Sequence, residues 1–245
     1  MSLLHQKVAL VTGAAKRIGK VLALSLAEAG ADVAFTYRNS FSEAEATTEQ
    51  LQALDVAALG YECDIRSPEE IRSTIETVVA DFGRIDILVN NAGIFETAAL
   101  EAISVEQWDA MFETNTRGPF LVSQAAYPHL KAVRGRIINI GSLGGLHPWP
   151  THGHYCTSKA ALHMLTATMS KAFAPEISVN CVAPGMIVAN STSGEAAAEY
   201  EHFARRTPMR RNGTPQDVAA AVLFFATGPH FITGQILGVD GGLGL

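Results

Sequence analysis

Short apolar segments alternate with longer amphipathic segments along most of this chain, and that alternation restricts the fold more than any other feature. The segments at 85–89 and 136–140 are apolar on both faces of a strand. Such strands belong in the middle of a parallel sheet covered by helices, and their alternation with helices produces right-handed βαβ crossovers. The sequence therefore predicts an α/β fold with a doubly wound parallel sheet.

The individual elements can be placed from the same pattern. We predict about seven strands with helices on both faces of the sheet, in the Rossmann-like arrangement. Ser67 and Glu70 have the spacing of a capping box at a helix start, and Gly83 is placed to end that helix. The predicted strands are 8–12, 32–37, 56–63, 85–89, 136–140, 177–182 and 236–239, and the first three predicted helices are 19–29, 43–54 and 67–82.

Length and composition fit one large domain. We predict a single domain over residues 1–245, with a substrate lid around 189–206 where small and charged residues are frequent. The net charge of −6 argues against nucleic-acid binding. No apolar stretch is long enough to span a membrane, and no signal-peptide pattern opens the chain. Three cysteines indicate reduced thiols, so we expect a cytoplasmic location: Cys63, Cys156 and Cys181.

A turn rich in small residues follows the first predicted strand, at positions 12–19. Around Gly13, backbone N–H groups can approach a pyrophosphate, and the next helix adds a positive N-terminus. This turn alone is weak support for nucleotide binding. The end of the second strand is more informative, because it carries Arg38 and no carboxylate. A guanidinium there suits a 2′-phosphate, with Lys16 or Arg17 as helpers, so the sequence favours NADP(H).

Three polar residues form a candidate catalytic group. Ser142 ends the fifth strand, and Tyr155 and Lys159 are spaced to share one face of a helix. We expect the Lys159 ammonium to lower the pKa of the Tyr155 phenol, so that the phenol can exchange a proton with a carbonyl oxygen or an alcohol. Ser142 can hydrogen-bond the developing oxyanion, and Lys159 can also hold the cofactor's ribose.

These motifs, in this order, resemble the short-chain dehydrogenase/reductase family over nearly the whole chain. The resemblance implies that Asn115 joins Ser142, Tyr155 and Lys159 as a catalytic residue by holding a water in a proton relay. It also implies that Asp64 bonds the adenine. The cofactor contacts predicted from the residues and the resemblance together are Gly13, Lys16, Arg17, Ile18, Arg38, Asp64, Ile65, Asn91, Ala92, Gly93, Tyr155, Lys159, Pro184, Gly185 and Ile187.

The substrate is less constrained than the reaction. The resemblance is nearest to 3-oxoacyl-carrier-protein reductases, but Arg17 replaces their middle glycine in the first turn. That turn resembles pteridine reductases, in which the arginine lies over the cofactor and near the substrate. The alternatives are therefore a pteridine reductase-like or sugar/polyol dehydrogenase activity, or a non-catalytic NADP-binding regulator. The family also implies a homotetramer acting on a small molecule.

Three histidines lie just before or beside Tyr155: His147, His152 and His154. Their spacing lacks a further ligand, so we expect no metal site and place them at the substrate mouth or in solvent. Ser142 lacks the G-x-S-x-G spacing of a hydrolase nucleophile, which argues against acyl transfer.

Overall fold

The computed structural model describes residues 3–188 and 195–245. Seven parallel strands form one sheet in the order β3-β2-β1-β4-β5-β6-β7. The strands are β1 (Val8–Val11), β2 (Asp32–Tyr37), β3 (Ala58–Glu62), β4 (Ile87–Asn90), β5 (Arg136–Ile140), β6 (Ser178–Pro184) and β7 (Ile236–Val239). The predicted doubly wound α/β sheet is confirmed.

The described part of the chain contains eight α-helices. They are α1 (Arg17–Glu28), α2 (Phe41–Gln52), α3 (Pro68–Phe82), α4 (Val105–Phe112), α5 (Gly118–Val133), α6 (Gly153–Ala172), α7 (Glu195–Arg206) and α8 (Pro215–Thr227). A π-helical turn, Glu113–Arg117, joins α4 to α5. Of the predicted lid at 189–206, residues 189–194 lie outside the described residues and the remainder forms α7.

The sheet separates two apolar cores, because side chains alternate between its faces along each strand. In β5, Ile138 packs with α1 and α8 on one face, whereas Ile137 packs with α3 and α5 on the other. All four residues of β1 and of β4 are buried. This explains why the strand segments read as apolar on both faces.

The start of α3 differs in one detail from the predicted capping box. The Ser67 hydroxyl accepts a hydrogen bond from the Glu70 backbone N–H at 3.3 Å, as expected. The Glu70 carboxylate instead accepts from the backbone N–H of Asp64 at 2.8 Å. The predicted return hydrogen bond from the Ser67 backbone N–H to the Glu70 side chain is therefore wrong. The Glu70 carboxylate is bound instead by the Asp64 backbone N–H, which follows β3. Gly83 ends α3 in the left-handed region at φ 78°, as predicted.

No helix among the described residues is long and apolar enough to cross a membrane.

Candidate functional site

The sheet order reverses between β1 and β4, and the loops after these two strands are tied together. The Asn91 side-chain amide donates to the carbonyl oxygens of Thr12 and Gly13 at 2.9 and 3.0 Å. The Thr12 hydroxyl accepts from the backbone N–H groups of Asn91 and Ala92, both at 3.0 Å. In open α/β sheets, ligands bind at such a switch point, outside the carboxyl ends of the strands.

A cleft of about 360 Å³ opens above this switch point, and we call it the switch-point cleft. Gly13 lies on its floor at φ 65°, and a β-carbon there would come within 2.9 Å of Ala92. The first turn of α1, which lines the cleft, contains no acidic residue. The predicted cofactor residues that line it are Gly13, Lys16, Arg17, Ile18, Arg38, Asp64, Ile65, Asn91, Ala92 and Gly93.

The charged side chains on the rim of the cleft differ in how freely they could bind an anion. The Lys16 ammonium is paired with Glu43 at 3.0 Å. Asp64 is paired with Arg66 through a 3.0 Å hydrogen bond from Nε, and this pairing lowers the pKa of the carboxyl. The Arg38 guanidinium is half exposed and only 4.0 Å from the same carboxylate. Arg38 therefore remains accessible to an anion, whereas Lys16 would first have to leave Glu43.

Arg17 occupies a backbone conformation that favours glycine. Its φ is 53°, in the left-handed region, at the first residue of α1. The side chain is exposed on the wall of the switch-point cleft. The chain therefore keeps the backbone geometry of a glycine-rich turn while placing a cation at the rim.

Ser142 and Tyr155 are brought together where β5 ends and α6 begins. The Ser142 hydroxyl lies near enough to the Tyr155 phenol to affect its pKa, and it accepts from the Gly144 backbone N–H at 3.0 Å. Burial raises the pKa of Tyr155, and the Ser142 hydroxyl opposes part of that effect. The expected lowering of this pKa is not observed, because desolvation of the phenol outweighs the other contributions.

Lys159 lies below the ring of Tyr155 and is buried. Its ammonium is 5.9 Å from the ring centroid and donates to the Ile140 carbonyl at 2.8 Å. Burial lowers the pKa of Lys159 to about 8, so the group is mostly protonated at neutral pH. A β-carbon on Gly93 would lie 3.6 Å from the Lys159 nitrogen. Gly93 thus joins the switch-point cleft to the three-residue group.

Asn115 lies in the π-helical turn and fixes the segment after Gly93. Its side-chain oxygen accepts from the Ile94 backbone N–H at 2.8 Å, and its amide donates to the Ile94 carbonyl at 2.9 Å. The amide also lies 3.1 Å from the Ser158 hydroxyl. π-Helical turns inside helices are frequent at functional sites. Here the turn directs a polar side chain between the loop after β4 and helix α6.

The remaining predicted cofactor residues lie at the end of β6, outside the lining of the cleft. Pro184 pairs with Val239 in β7, and a β-carbon on Gly185 would come within 2.8 Å of Asp240. Ile187 forms an isolated bridge with Gly213. These contacts place the three residues at the carboxyl edge of the sheet, beyond β5 and Ser142.

The three histidines near Tyr155 have different surroundings. His147 is exposed, whereas the imidazole of His154 is fully buried, 3.9 Å from Glu96. His152 contacts Thr97, Thr151 and two aromatic rings. Within residues 3–188 and 195–245, no group of three His, Cys, Asp or Glu side chains could hold a metal ion.

Sequence reasoning missed several residues of this region. His163 is buried beneath Ser142, and its Nε2 accepts from the Ser142 backbone N–H at 3.4 Å. His163 lies eight residues after Tyr155, a spacing that places both side chains on one face of a helix. The sequence could therefore have indicated it. Phe95 and Trp149 contact the Tyr155 ring. They lie in loops, where no periodic sequence pattern indicates which side chains meet. The cleft is also lined by Gly19, Thr36, Tyr37, Cys63, Ile94 and Thr114.

Comparison with known proteins gives a consistent result. Residues 13–244 match a family model described as enoyl-(acyl carrier protein) reductase. A 3-oxoacyl-[acyl-carrier-protein] reductase of Synechocystis sp. is 38% identical over 99% of both chains. An NADPH complex of a blue fluorescent protein from a metagenomic library superposes with a TM-score of 0.91, at 34% identity over 98% of both chains. NAD⁺-bound xylitol dehydrogenase also gives a TM-score of 0.91, at 32% identity over 98% of this chain and 99% of its own.

The fold, the switch-point cleft and these similarities agree with the resemblance seen in the sequence. This chain belongs to the short-chain dehydrogenase/reductase family and is an oxidoreductase that uses a nicotinamide cofactor to interconvert a carbonyl and an alcohol.

Proposed function

We propose that the protein is an NADP(H)-dependent carbonyl reductase in which Tyr155 is the proton donor. The observation that carries this proposal is the contact of Tyr155 with Ser142 above a buried, protonated Lys159. Because burial raises the pKa of Tyr155, its hydroxyl is neutral at neutral pH and can donate. This favours the reductive direction.

The switch-point cleft fits a dinucleotide. Glycine on its floor permits close backbone approach, the N-terminus of α1 faces it, and Arg38 supplies an accessible cation. When bound, the reduced nicotinamide supplies a hydride to the carbonyl carbon. The residues that would hold the dinucleotide are those of the first turn, Arg38, Asp64 with Ile65, Asn91 to Gly93, and the segment after β6.

The chain's own residues then manage the proton. As the carbonyl π bond breaks, the oxygen takes the proton from the Tyr155 hydroxyl, and the Ser142 hydroxyl hydrogen-bonds the same oxygen. The Lys159 ammonium stabilises the phenolate that remains. Asn115 positions the loop after Gly93 against α6 through Ile94 and Ser158. The products are an alcohol and the oxidised cofactor.

Tyr155→Phe tests this assignment directly. We expect kcat/KM for carbonyl reduction to fall by about 100-fold or more, because the variant lacks the proton that general acid catalysis requires. Turnover is followed by nicotinamide absorbance with 3-oxoacyl thioesters, dihydropterins, quinones and sugars. NADPH binding should stay mostly intact, with a change in its dissociation constant much smaller than the loss of turnover. Near-wild-type turnover in the variant would contradict the assignment, and tight NADPH binding without turnover on the whole panel would support a non-catalytic regulator instead.

Cofactor choice is tested by Arg38→Asp. We expect NADPH to bind roughly 10- to 100-fold more weakly, because a charge-assisted contact to the 2′-phosphate is replaced by repulsion. NADH binding should be unchanged or stronger. Lys171→Asp, with the same change of charge at the far end of α6, is the matched control and should have no effect. Equal affinity of the parent protein for both cofactors would contradict the preference for NADP(H).

A second candidate, pteridine reduction, is favoured by one observation. Arg17 holds a guanidinium at the rim of the cleft despite the unfavourable backbone of that position. The dihydropterins in the panel decide between this activity and 3-oxoacyl reduction.

We also propose that the protein assembles as a homotetramer in the cytoplasm. A shallow depression of about 730 Å³ lies on the outer face of α4 to α6. Phe120 and Met164 are exposed there, at 42% and 68%. This helical face combines these apolar side chains with the charged residues Asp109, Glu113 and Arg117, and it suits an isologous contact between two copies.

A further inference from the structure

Aromatic rings surround the ring of Tyr155. Phe95 meets it edge-on, with centroids 4.8 Å apart and an 85° angle between planes. Trp149 lies nearly parallel to it, at 14°, with centroids 6.2 Å apart. His152 stacks on Phe95 at 4.7 Å and meets Trp149 edge-on at 5.7 Å. We call Phe95, Trp149 and His152 the aromatic wall.

The aromatic wall is held in place by hydrogen bonds to its middle member. The two ring nitrogens of His152 lie 2.9 Å from the hydroxyls of Thr97 and Thr151. These contacts fix the imidazole between Phe95 and Trp149. A wall whose rings are already positioned loses little conformational entropy when a ligand binds.

The wall borders the proposed proton donor and remains open. A β-carbon on Gly144 would lie 3.3 Å from the Trp149 ring, and the Gly144 N–H is bonded to the Ser142 hydroxyl. Phe95 is 59% exposed, and Leu146, four residues after Ser142, is 48% exposed. Ligand pockets are typically lined by such apolar and aromatic groups with a few placed polar atoms.

The polar groups next to the wall are engaged elsewhere. The Glu96 carboxylate accepts a hydrogen bond from Gln107 and faces His154 at 3.9 Å. The Thr97 and Thr151 hydroxyls face the ring nitrogens of His152. Ring contacts are therefore the main means of recognition that the wall offers to a ligand.

We propose that the aromatic wall selects substrates whose carbonyl is attached to a planar aromatic ring, which makes aryl ketones the substrate class. This inference rests on the proposed function, since the ring is placed beside a carbonyl that receives its proton from Tyr155. The substrate's ring is unchanged in the reaction, and the product is a benzylic alcohol. Each edge-on or offset ring pair is worth roughly 2- to 12-fold in affinity.

The test compares acetophenone with cyclohexyl methyl ketone, which differ in the aromaticity of one six-membered ring. The quantity measured is the ratio of kcat/KM values for the two ketones with NADPH. Phe95→Leu and Trp149→Leu should each lower this ratio roughly fivefold relative to the parent, because each removes one ring pair. Intrinsic ketone reactivity cancels in the comparison between proteins. Phe231→Leu, at a 99% exposed phenylalanine outside the wall, is the matched control and should leave the ratio unchanged.

A binding measurement separates recognition from chemistry. With NADPH present, the Tyr155→Phe protein should bind acetophenone more tightly than cyclohexyl methyl ketone, and adding Phe95→Leu should remove most of that difference. A ratio of kcat/KM values that stays unchanged in both leucine variants, including by an equal loss of kcat/KM for the two ketones, would overturn the inference. Tyr155-dependent reduction of other carbonyls would then leave the proposed function standing, whereas failure of the proposed function would appear as no Tyr155-dependent reduction of any carbonyl.

Discussion

Burial sets the protonation of three side chains that repeat every four residues along α6. Tyr155 is kept neutral by a raised pKa, and Lys159 has a pKa of about 8. Burial, with a smaller contribution from the charge of Lys159, lowers the pKa of His163 to about 4. His163 is thus a neutral acceptor for the Ser142 backbone N–H under conditions in which a solvent-exposed histidine would be charged.

The depressed pKa of His163 predicts a pH-dependent stability. An unfolded histidine titrates near 6.5, so between pH 6.5 and 4 the unfolded chain binds more protons than the folded one. Stability therefore falls as the pH drops through this window, by an amount on the order of 3 kcal/mol at its lower end. His163→Leu should lose this component. Urea unfolding at pH 7 and pH 4.5 measures the difference.

The control for this prediction is His5→Leu, which removes an exposed histidine. Its free energy of unfolding should follow the pH dependence of the parent. If the His163→Leu protein also followed the parent curve, His163 would have to be able to take up a proton in the folded state. A His163→Gln protein, which keeps a side-chain acceptor, checks that the leucine result does not come from misfolding.

At the level of elements, α6 combines two surfaces with different tasks. One side carries Tyr155, Lys159 and His163 towards the end of β5. The other side presents Met164, which is 68% exposed and lines the depression shared with α4 and α5. A single helix thus connects the candidate catalytic group to the proposed subunit contact.

Met164→Glu tests the proposed subunit contact. A new carboxylate in this contact would be desolvated on a face that already carries Asp109 and Glu113, so we expect the tetramer to dissociate into smaller species. Sedimentation velocity measures the change in mass. Glu101→Gln, an exposed substitution away from this helix face, should sediment like the parent. A tetramer that persists in the Met164→Glu protein would place the contact elsewhere.

Elements with regular apolar patterns were predicted well from the sequence. β2 and β5 have the predicted bounds, and α3 ends at Gly83, since strand burial and a left-handed glycine leave clear local patterns. The π-helical turn around Asn115 was not predicted, because its extra residue depends on packing against Ile94 and α6. Only the resemblance drew attention to Asn115.

At the scale of the whole molecule, the parallel sheet gathers distant segments at one edge. The turns after β1 and β4 are bonded directly, and the ends of β5 and β6 lie beside them. Sequence order and strand alternation were enough to predict that these segments meet at one edge of the sheet, and the site at this edge remains a prediction. The direction of the Tyr155 pKa shift was not, because desolvation is a property of the assembled fold rather than of residue spacing. Aromatic side chains in loops, such as Phe95, were also missed, because their contacts form only in the assembled fold.

The left-handed backbone of Arg17 lowers the stability of the fold, while its side chain adds positive charge to the surface at the same position. Non-glycine residues in this conformation cost about 1–2 kcal/mol. Glycine would relax the peptide geometry where α1 begins, while removing a positive group from the wall of the switch-point cleft. A more heat-resistant protein made by that single replacement would therefore also have a less cationic nucleotide entrance.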